Sequence, residues 1–199
     1  MPYSIRQAYG AESSEWTDEI KLKIAEDSKA KGTAAFREGD FSTAAMEYVK
    51  ALAYVQPGKP RSYDDPESIL CSTVGLNAAA AHLKLEEYQL ALDRLSQLMG
   101  DGHPDNDVPL PWMVDDDDHA LAVGAQLGAG GWLKAIYRRG QAELGLGDLK
   151  AAKATLKRGA KLDPNNKPVL KLLRQVEAKL AQGKEEEQRR GARMMGAFG

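Results

Sequence analysis

The sequence predicts an all-α protein, a right-handed solenoid of three helical hairpins closed by a capping helix. Two spacings predict it. A triplet of mostly small residues recurs three times with separations of 12 and 7 residues, and a large apolar residue follows the first two members of each triplet by four positions. That offset is helix periodicity and differs from strand alternation. The triplets are Gly32, Ala44, Ala51; Ala79, Ala91, Leu98; and Gly140, Ala152, Gly159, and the large residues are Phe36 and Tyr48, Leu83 and Leu95, and Leu144 and Leu156.

Each copy is expected to form helix, turn and helix. Small side chains would meet where the two helices cross, and large ones would fill the space between neighbouring hairpins. Gly39-Asp40 and Gly147-Asp148 mark the first and third turns, because Gly accepts a left-handed conformation and Asp caps the next helix. Glu86-Glu87 marks the second turn more weakly. After a stop at 163–166, helical spacing predicts the capping helix, with Val169, Leu170, Leu172, Leu173, Val176 and Leu180 on its apolar side.

Three segments, 29–41, 82–88 and 134–140, resemble the tetratricopeptide repeat, the helix-turn-helix unit of about 34 residues. The resemblance covers roughly residues 25–166 and implies three repeats. More narrowly, the chain is similar to the carboxy-terminal repeat domain of the large immunophilin co-chaperones. Nothing in its 199 residues resembles their isomerase domain.

The predicted organisation is an N-terminal extension, a repeat domain and a charged helical extension with a tail. Relative to a 34-residue period, 13 residues are inserted between the first and second copies and 27 between the second and third. We expect longer helices around 56–66, and an exposed acidic Pro/Gly-rich loop at 100–130 with a short helix near 119–127. The bounds are 1–14 for the extension, 15–182 for the domain with repeats at 25–58, 72–105 and 133–166 and a capping helix at 167–182, and 183–199 for the charged tail.

Composition excludes several classes of function. With 27 Lys and Arg against 29 Asp and Glu, the net charge is −2, which argues against a general nucleic-acid binder. A single cysteine, Cys71, allows no intrachain disulfide and no multi-cysteine metal site. No signal peptide and no apolar run of about 20 residues is recognisable. These features predict a cytoplasmic protein without a membrane span.

The first helices of successive hairpins line the groove of such an array, so their outward residues decide what binds. Positive side chains and neutral donors recur there at helical spacing, and the groove should be basic within an acidic protein. Lys and Arg donate charge-assisted hydrogen bonds, and an amide fixes orientation, which favours a peptide ending in paired carboxylates. The residues are Lys29, Thr33 and Arg37 on the first helix, Thr73, Asn77 and Lys84 on the second, and Lys134 and Arg138 on the third.

The resemblance implies a more specific ligand. Co-chaperones of this type use a two-carboxylate clamp for the Glu-Glu-Val-Asp tail of heat-shock protein 90 or 70. Thr33 departs from the clamp, which often has Asn at that position. Binding would be roughly micromolar, about 8 kcal/mol. By position Lys29, Asn77, Lys134 and Arg138 match the clamp; Lys29, Lys134 and Arg138 would hold carboxylates, Asn77 and Thr33 would orient the terminus, and Phe36 and Lys84 would line the groove.

Other interpretations stay open. The groove cations could be ordinary solvated surface, and the chain could be a structural scaffold subunit whose long loop and termini contact neighbouring subunits. The acidic run 115–118 could also fold back over the basic groove. Metal ligation by the loop around His103 and His119 is disfavoured, since no ligand spacing is recognisable.

Catalysis is also disfavoured. Cys71 is expected to be a buried structural thiol and His82 a packed core histidine. There is no phosphate-binding loop or nucleophile elbow. We therefore expect no enzyme and no cofactor.

Overall fold

The computed structural model describes residues 17–55, 65–99 and 128–196. The two predicted insertions, apart from their ends, lie outside these residues. The described residues form helices and no strand, which confirms the all-α prediction. The helices are α1 (Asp18–Glu38), α2 (Phe41–Tyr54), α3 (Pro66–Lys84), α4 (Tyr88–Met99), α5 (Gly128–Gly145), α6 (Leu149–Leu162) and α7 (Lys167–Gly196).

The hairpin turns form where the sequence predicts them. Gly39 and Gly147 have φ of 85° and 79°, the left-handed conformation that glycine adopts without a Cβ penalty. Asp40 caps α2 by accepting a hydrogen bond from the Thr43 amide at 3.0 Å, and hydrogen bonds from Thr43 hold the pKa of the Asp40 carboxyl below its usual value. In the second turn Glu86 takes the left-handed conformation, with φ of 59°.

The small residues meet where the two helices of the first hairpin cross, as predicted, since a Cβ on Gly32 would lie 3.2 Å from the Ala44 carbonyl oxygen. A Cβ on Gly32 would lie 2.9 Å from the ring of Tyr48, and one on Gly140 would lie 2.7 Å from Leu156. The large residue of the second helix therefore lies over the glycine of the first helix in the same hairpin. It also packs against the next element of the array, as predicted: Tyr48 belongs to the cluster that includes α3, and Leu156 to the cluster that includes α7.

The core consists of three clusters that follow one another along the solenoid. The first joins α1, α2 and α3 around Tyr48, the second joins α3, α4 and α5 around Leu95, and the third joins α5, α6 and α7 around Leu156 and Val176. Each hairpin thus contacts only its neighbours, as in other helical repeats. This stacking holds α1, α3 and α5 in a common array.

Two predicted core residues are confirmed. Cys71 is 5% exposed, and burial raises the pKa of its thiol to about 11, so it carries no thiolate at neutral pH. His82 is 6% exposed, and its Nδ1 lies 2.7 Å from Glu87 Oε2 in the adjacent turn. His82 therefore joins the end of α3 to the second turn.

The last helix extends well beyond the core. Val169, Leu172 and Val176 are buried on one side of α7, whereas every described side chain after Leu180 is exposed. Within 17–55, 65–99 and 128–196, no helix has the length and apolar character required to cross a bilayer.

Candidate peptide-binding groove

The predicted binding residues lie on α1, α3 and α5, the first helices of the three hairpins. α3 packs against both α1 and α5, so the three helices form a contiguous surface. Their exposure is uneven: Lys29, Thr33, Phe36, Asn77 and Arg138 are half-buried, whereas Lys84 and Lys134 are exposed.

A short chain of hydrogen bonds fixes Thr33. Its hydroxyl donates to the Lys29 carbonyl at 2.8 Å and accepts from the Tyr48 hydroxyl at 3.3 Å. The proton of Thr33 is therefore used within α1, and the side chain offers a ligand only an acceptor. An amide at this position would keep a free donor.

Arg138 ties α5 to α3. Its Nη1 donates to the Leu76 carbonyl at 2.6 Å, directly before Asn77 in the chain. Burial lowers the pKa of the Arg138 guanidinium, and nearby Tyr48 opposes that shift. A guanidinium has five N–H donors, so most of them remain for a ligand. The side chain is thus both a structural link and a candidate ligand group.

Tyr48 is the residue that brings these helices together, and sequence reasoning gave it only a packing role. It is 2% exposed, it donates to Thr33 of α1, and it lies close enough to Arg138 of α5 to influence its pKa. Its position four residues after Ala44 predicted a packing role. The spacing did not predict that the Tyr48 hydroxyl would lie where the groove helices meet.

The cations on either side of this junction are not neutralised. Neither Lys29 nor Lys134 forms an ion pair with any residue that the structure describes. Asn77 likewise forms no side-chain hydrogen bond within the described part of the chain. Lys29 on α1 and Lys134, one turn before Arg138 on α5, therefore leave positive charge for an external carboxylate.

An aromatic corner lies between the first two hairpins. The rings of Phe36 and Phe41 meet edge to face with centroids 5.1 Å apart, and Lys84 Nζ lies 5.8 Å from the centroid of Phe41. Phe41 thus contacts two predicted groove residues, Phe36 and Lys84. Phe41 is the first residue of α2. It belongs to the segment 29–41 that resembles the repeat, but it was not predicted as a site residue.

The other candidate sites add no chemistry here. Among the described residues, no group of three or more His, Cys, Asp or Glu side chains could hold a metal ion. The loop around His103 and His119 lies outside those residues, as does the acidic run at 115–118. The α1–α3–α5 groove therefore stays the candidate binding surface among the described residues.

Known proteins similar to this chain include peptidyl-prolyl cis-trans isomerases. Peptidyl-prolyl cis-trans isomerase D of Cryptococcus neoformans is 32% identical over 184 residues, covering 89% of this chain and 44% of that protein. Peptidyl-prolyl cis-trans isomerase FKBP4 of Bos taurus is 25% identical over 158 residues, covering 78% of this chain and 28% of that protein. The chain thus spans less than half the length of these relatives. No family model matches it.

Solved structures with the same fold are tetratricopeptide-repeat domains. The C-terminal repeat domain of a Plasmodium falciparum FK506-binding protein is 23% identical, with a TM-score of 0.64, covering 86% of this chain and 98% of that one. The Hsp90 co-chaperone Cns1 of Saccharomyces cerevisiae is 22% identical, with a TM-score of 0.60, covering 90% and 46%. The first repeat domain of Spaghetti, bound to the HSP90 peptide SRMEEVD, is 22% identical, with a TM-score of 0.54, covering 80% and 95%. These likenesses confirm the tetratricopeptide-repeat fold.

Proposed function

We propose that this tetratricopeptide-repeat chain is a protein-binding adaptor whose α1–α3–α5 groove captures the acidic Glu-Glu-Val-Asp tail of heat-shock protein 90 or 70. The observation that carries the proposal is the pair of unneutralised cations, Lys29 and Lys134, on either side of the Tyr48 and Arg138 junction. Solved domains of the same fold hold peptides that end in Glu-Glu-Val-Asp, one from HSP90 and one from HSP70.

The groove divides the work of binding between charge and shape. Lys29 and Lys134 bind carboxylates directly, and Arg138 adds the guanidinium donors that Leu76 leaves free. Asn77 beside that contact orients the peptide terminus through its amide. The aromatic corner of Phe36, Phe41 and Lys84 provides apolar surface for a side chain upstream of the terminus.

The test is a titration with a fluorescent peptide ending in Met-Glu-Glu-Val-Asp, beside its carboxy-amidated form. We expect saturable binding in the micromolar range that weakens as salt rises, because surface charges are screened within about 10 Å at 0.1 M salt. Lys134→Ala and Lys29→Ala should each weaken binding about tenfold or more, the loss expected for a charge-assisted hydrogen bond.

The matched control is Lys31→Ala, an exposed lysine on the same helix as Lys29, which should leave the affinity unchanged. Arg138→Ala is a poorer test, because losing its bond to the Leu76 carbonyl also disturbs α3. No binding of the free-acid peptide at millimolar concentration, or equal binding of the amidated form, would overturn the proposal.

A second function, a scaffold subunit of a larger assembly, is favoured by one observation. The exposed part of α7, residues 181–196, is about 24 Å long and contacts none of the three core clusters, and Met194 on it is 66% exposed. Truncation of residues 190–199 would abolish assembly in this case and leave tail binding intact.

A further inference from the structure

The last hairpin and the first half of the capping helix carry a concentration of positive charge that the groove does not explain. Residues 149–180 hold nine Lys or Arg and two Asp or Glu, in a chain whose net charge is −2. α6 itself has no acidic residue. The excess is therefore local and belongs to the outer side of α6 and α7.

Helix geometry places this charge on two outward rows. On α6, Lys150 and Lys157 are two turns apart, on the side opposite the buried Ala152, Thr155 and Gly159. On α7, Lys167, Lys171 and Arg174 lie opposite the buried side of the helix. All of these cations are exposed.

Part of this charge is already paired within the described residues. Lys153 Nζ forms an ion pair with Glu177 Oε1 at 3.0 Å, and Arg158 and Lys161 also interact with other residues. The cations of the two outward rows form no ion pair with the described residues. Holding so many uncompensated cations on two packed helices raises the potential around them, which attracts a polyanion.

The surroundings of the two rows select the kind of polyanion. No large apolar or aromatic side chain of residues 149–180 is among the exposed ones, so the face has neither a stacking platform for bases nor a wedge for a bilayer. A nucleic acid or membrane would also extend beyond the face and meet the rest of an acidic chain.

We propose that the outward face of α6 and α7 is a second binding surface, for an acidic polypeptide segment of a partner protein. Such a segment is narrow enough to lie within a screening length of about 10 Å of the face alone. In an extended chain, alternate carboxylates recur every ~6.6 Å, close to the ~6 Å rise between Lys167 and Lys171. This surface is independent of the proposed groove and needs no free carboxy terminus.

The probe is a fluorescent peptide of eight glutamates with an amidated carboxy terminus, titrated into the full chain at low salt. We expect saturable binding by the native chain. The affinity should be about tenfold or more lower in the double variant Lys150→Glu/Lys157→Glu. The matched control is the double variant Lys23→Glu/Lys31→Glu on α1. It changes the net charge by the same amount at exposed positions and should shift the affinity by less than about twofold. In the Lys134→Ala background, Lys150→Glu/Lys157→Glu should still lower the affinity about tenfold or more, which separates this surface from the groove. Circular dichroism confirms that each variant is folded.

Four outcomes would overturn the proposal. They are absence of saturable binding by the native chain, equal loss in both double variants, no loss from Lys150→Glu/Lys157→Glu in the Lys134→Ala background, and tighter binding of a short DNA duplex or phosphatidylserine vesicles through Lys150 and Lys157. A fifth outcome concerns the chain's own acidic run 115–118. If replacing its four Asp residues by Asn made the chain bind the peptide tenfold more tightly, the face would be assigned to that segment and the proposal overturned.

Discussion

At the scale of single residues, binding in the groove depends on which hydrogen-bond donors and charges already have partners within the protein. Thr33 gives its proton to the Lys29 carbonyl, and Arg138 gives one of its protons to the Leu76 carbonyl. Lys134 is committed to no described residue. The affinity for a carboxylate should therefore be carried by the uncommitted donors and be insensitive to Thr33.

Thr33 offers the sharpest test of this statement. Thr33→Val removes the hydroxyl but should leave tail affinity unchanged, because that hydroxyl has no proton to offer a ligand. Thr33→Asn can still accept from Tyr48 and adds free amide protons, so the Met-Glu-Glu-Val-Asp peptide should bind about tenfold more tightly. Anisotropy titration measures both; a large loss in Thr33→Val would contradict the assigned hydrogen bonds.

A buried carboxyl in the last hairpin predicts a pH dependence. Glu143 is 3% exposed, and one of its oxygens accepts from Arg139 Nε at 2.9 Å. Its other oxygen and the nearby Thr155 hydroxyl on α6 are buried without a hydrogen-bond partner in the described structure. Burial raises the pKa of the Glu143 carboxyl above its ordinary value of 4.5, and the hydrogen bond from Arg139 opposes that shift.

The raised pKa means that the folded state holds this proton more tightly than the unfolded chain. The contribution to stability is complete below pH 4.5 and is lost as pH rises through the folded-state pKa of Glu143. Glu143→Gln keeps the shape without the charge, so its melting temperature relative to the native chain should rise between pH 4.5 and 7. The exposed control Glu187→Gln should show no such trend, and a parallel trend in both would contradict the assignment.

At the scale of helices, the sequence predicts the hairpins because their signals are local. The glycine turns, the Asp caps and the fourfold offset of apolar residues each act within one or two turns of chain. The space beside Gly32 is different, since it depends on the crossing of two helices, and the spacing could not show that Tyr48 fills it. The same holds for the groove: spacing predicted which face Arg138 occupies but not its bond to Leu76.

The helix crossing can be tested at two glycines. Gly140→Ala places a Cβ 2.7 Å from Leu156, and the resulting overpacking should lower the free energy of unfolding by about 1–3 kcal/mol. Gly183 lies in the exposed part of α7, where an added Cβ would have nothing within 4 Å, so Gly183→Ala should change it by less than about 0.5 kcal/mol. Urea denaturation measures both, and an equal loss in the two variants would contradict the close crossing.

At the scale of the whole molecule, stability comes from a line of hairpins that contact only their neighbours. In such an array the end is stabilised by whatever covers the last hairpin. Here α7 performs that task with its first half, through Val169, Leu172 and Val176. The half beyond Leu180 packs against nothing in the described structure. It therefore adds to the length of α7 without contributing to the core.

This division predicts two different results from changes in one helix. Leu172→Ala should lower the free energy of unfolding by about 2–5 kcal/mol, because it opens a cavity under the cap. Truncation after Gln182 should change it by less than about 0.5 kcal/mol and leave binding of the tail peptide intact, since the groove lies on α1, α3 and α5. Thermal melts and the peptide titration measure these effects. If truncation weakened tail binding as strongly as Lys134→Ala, the distal half of α7 would have to belong to the binding surface, and the groove alone would not account for capture.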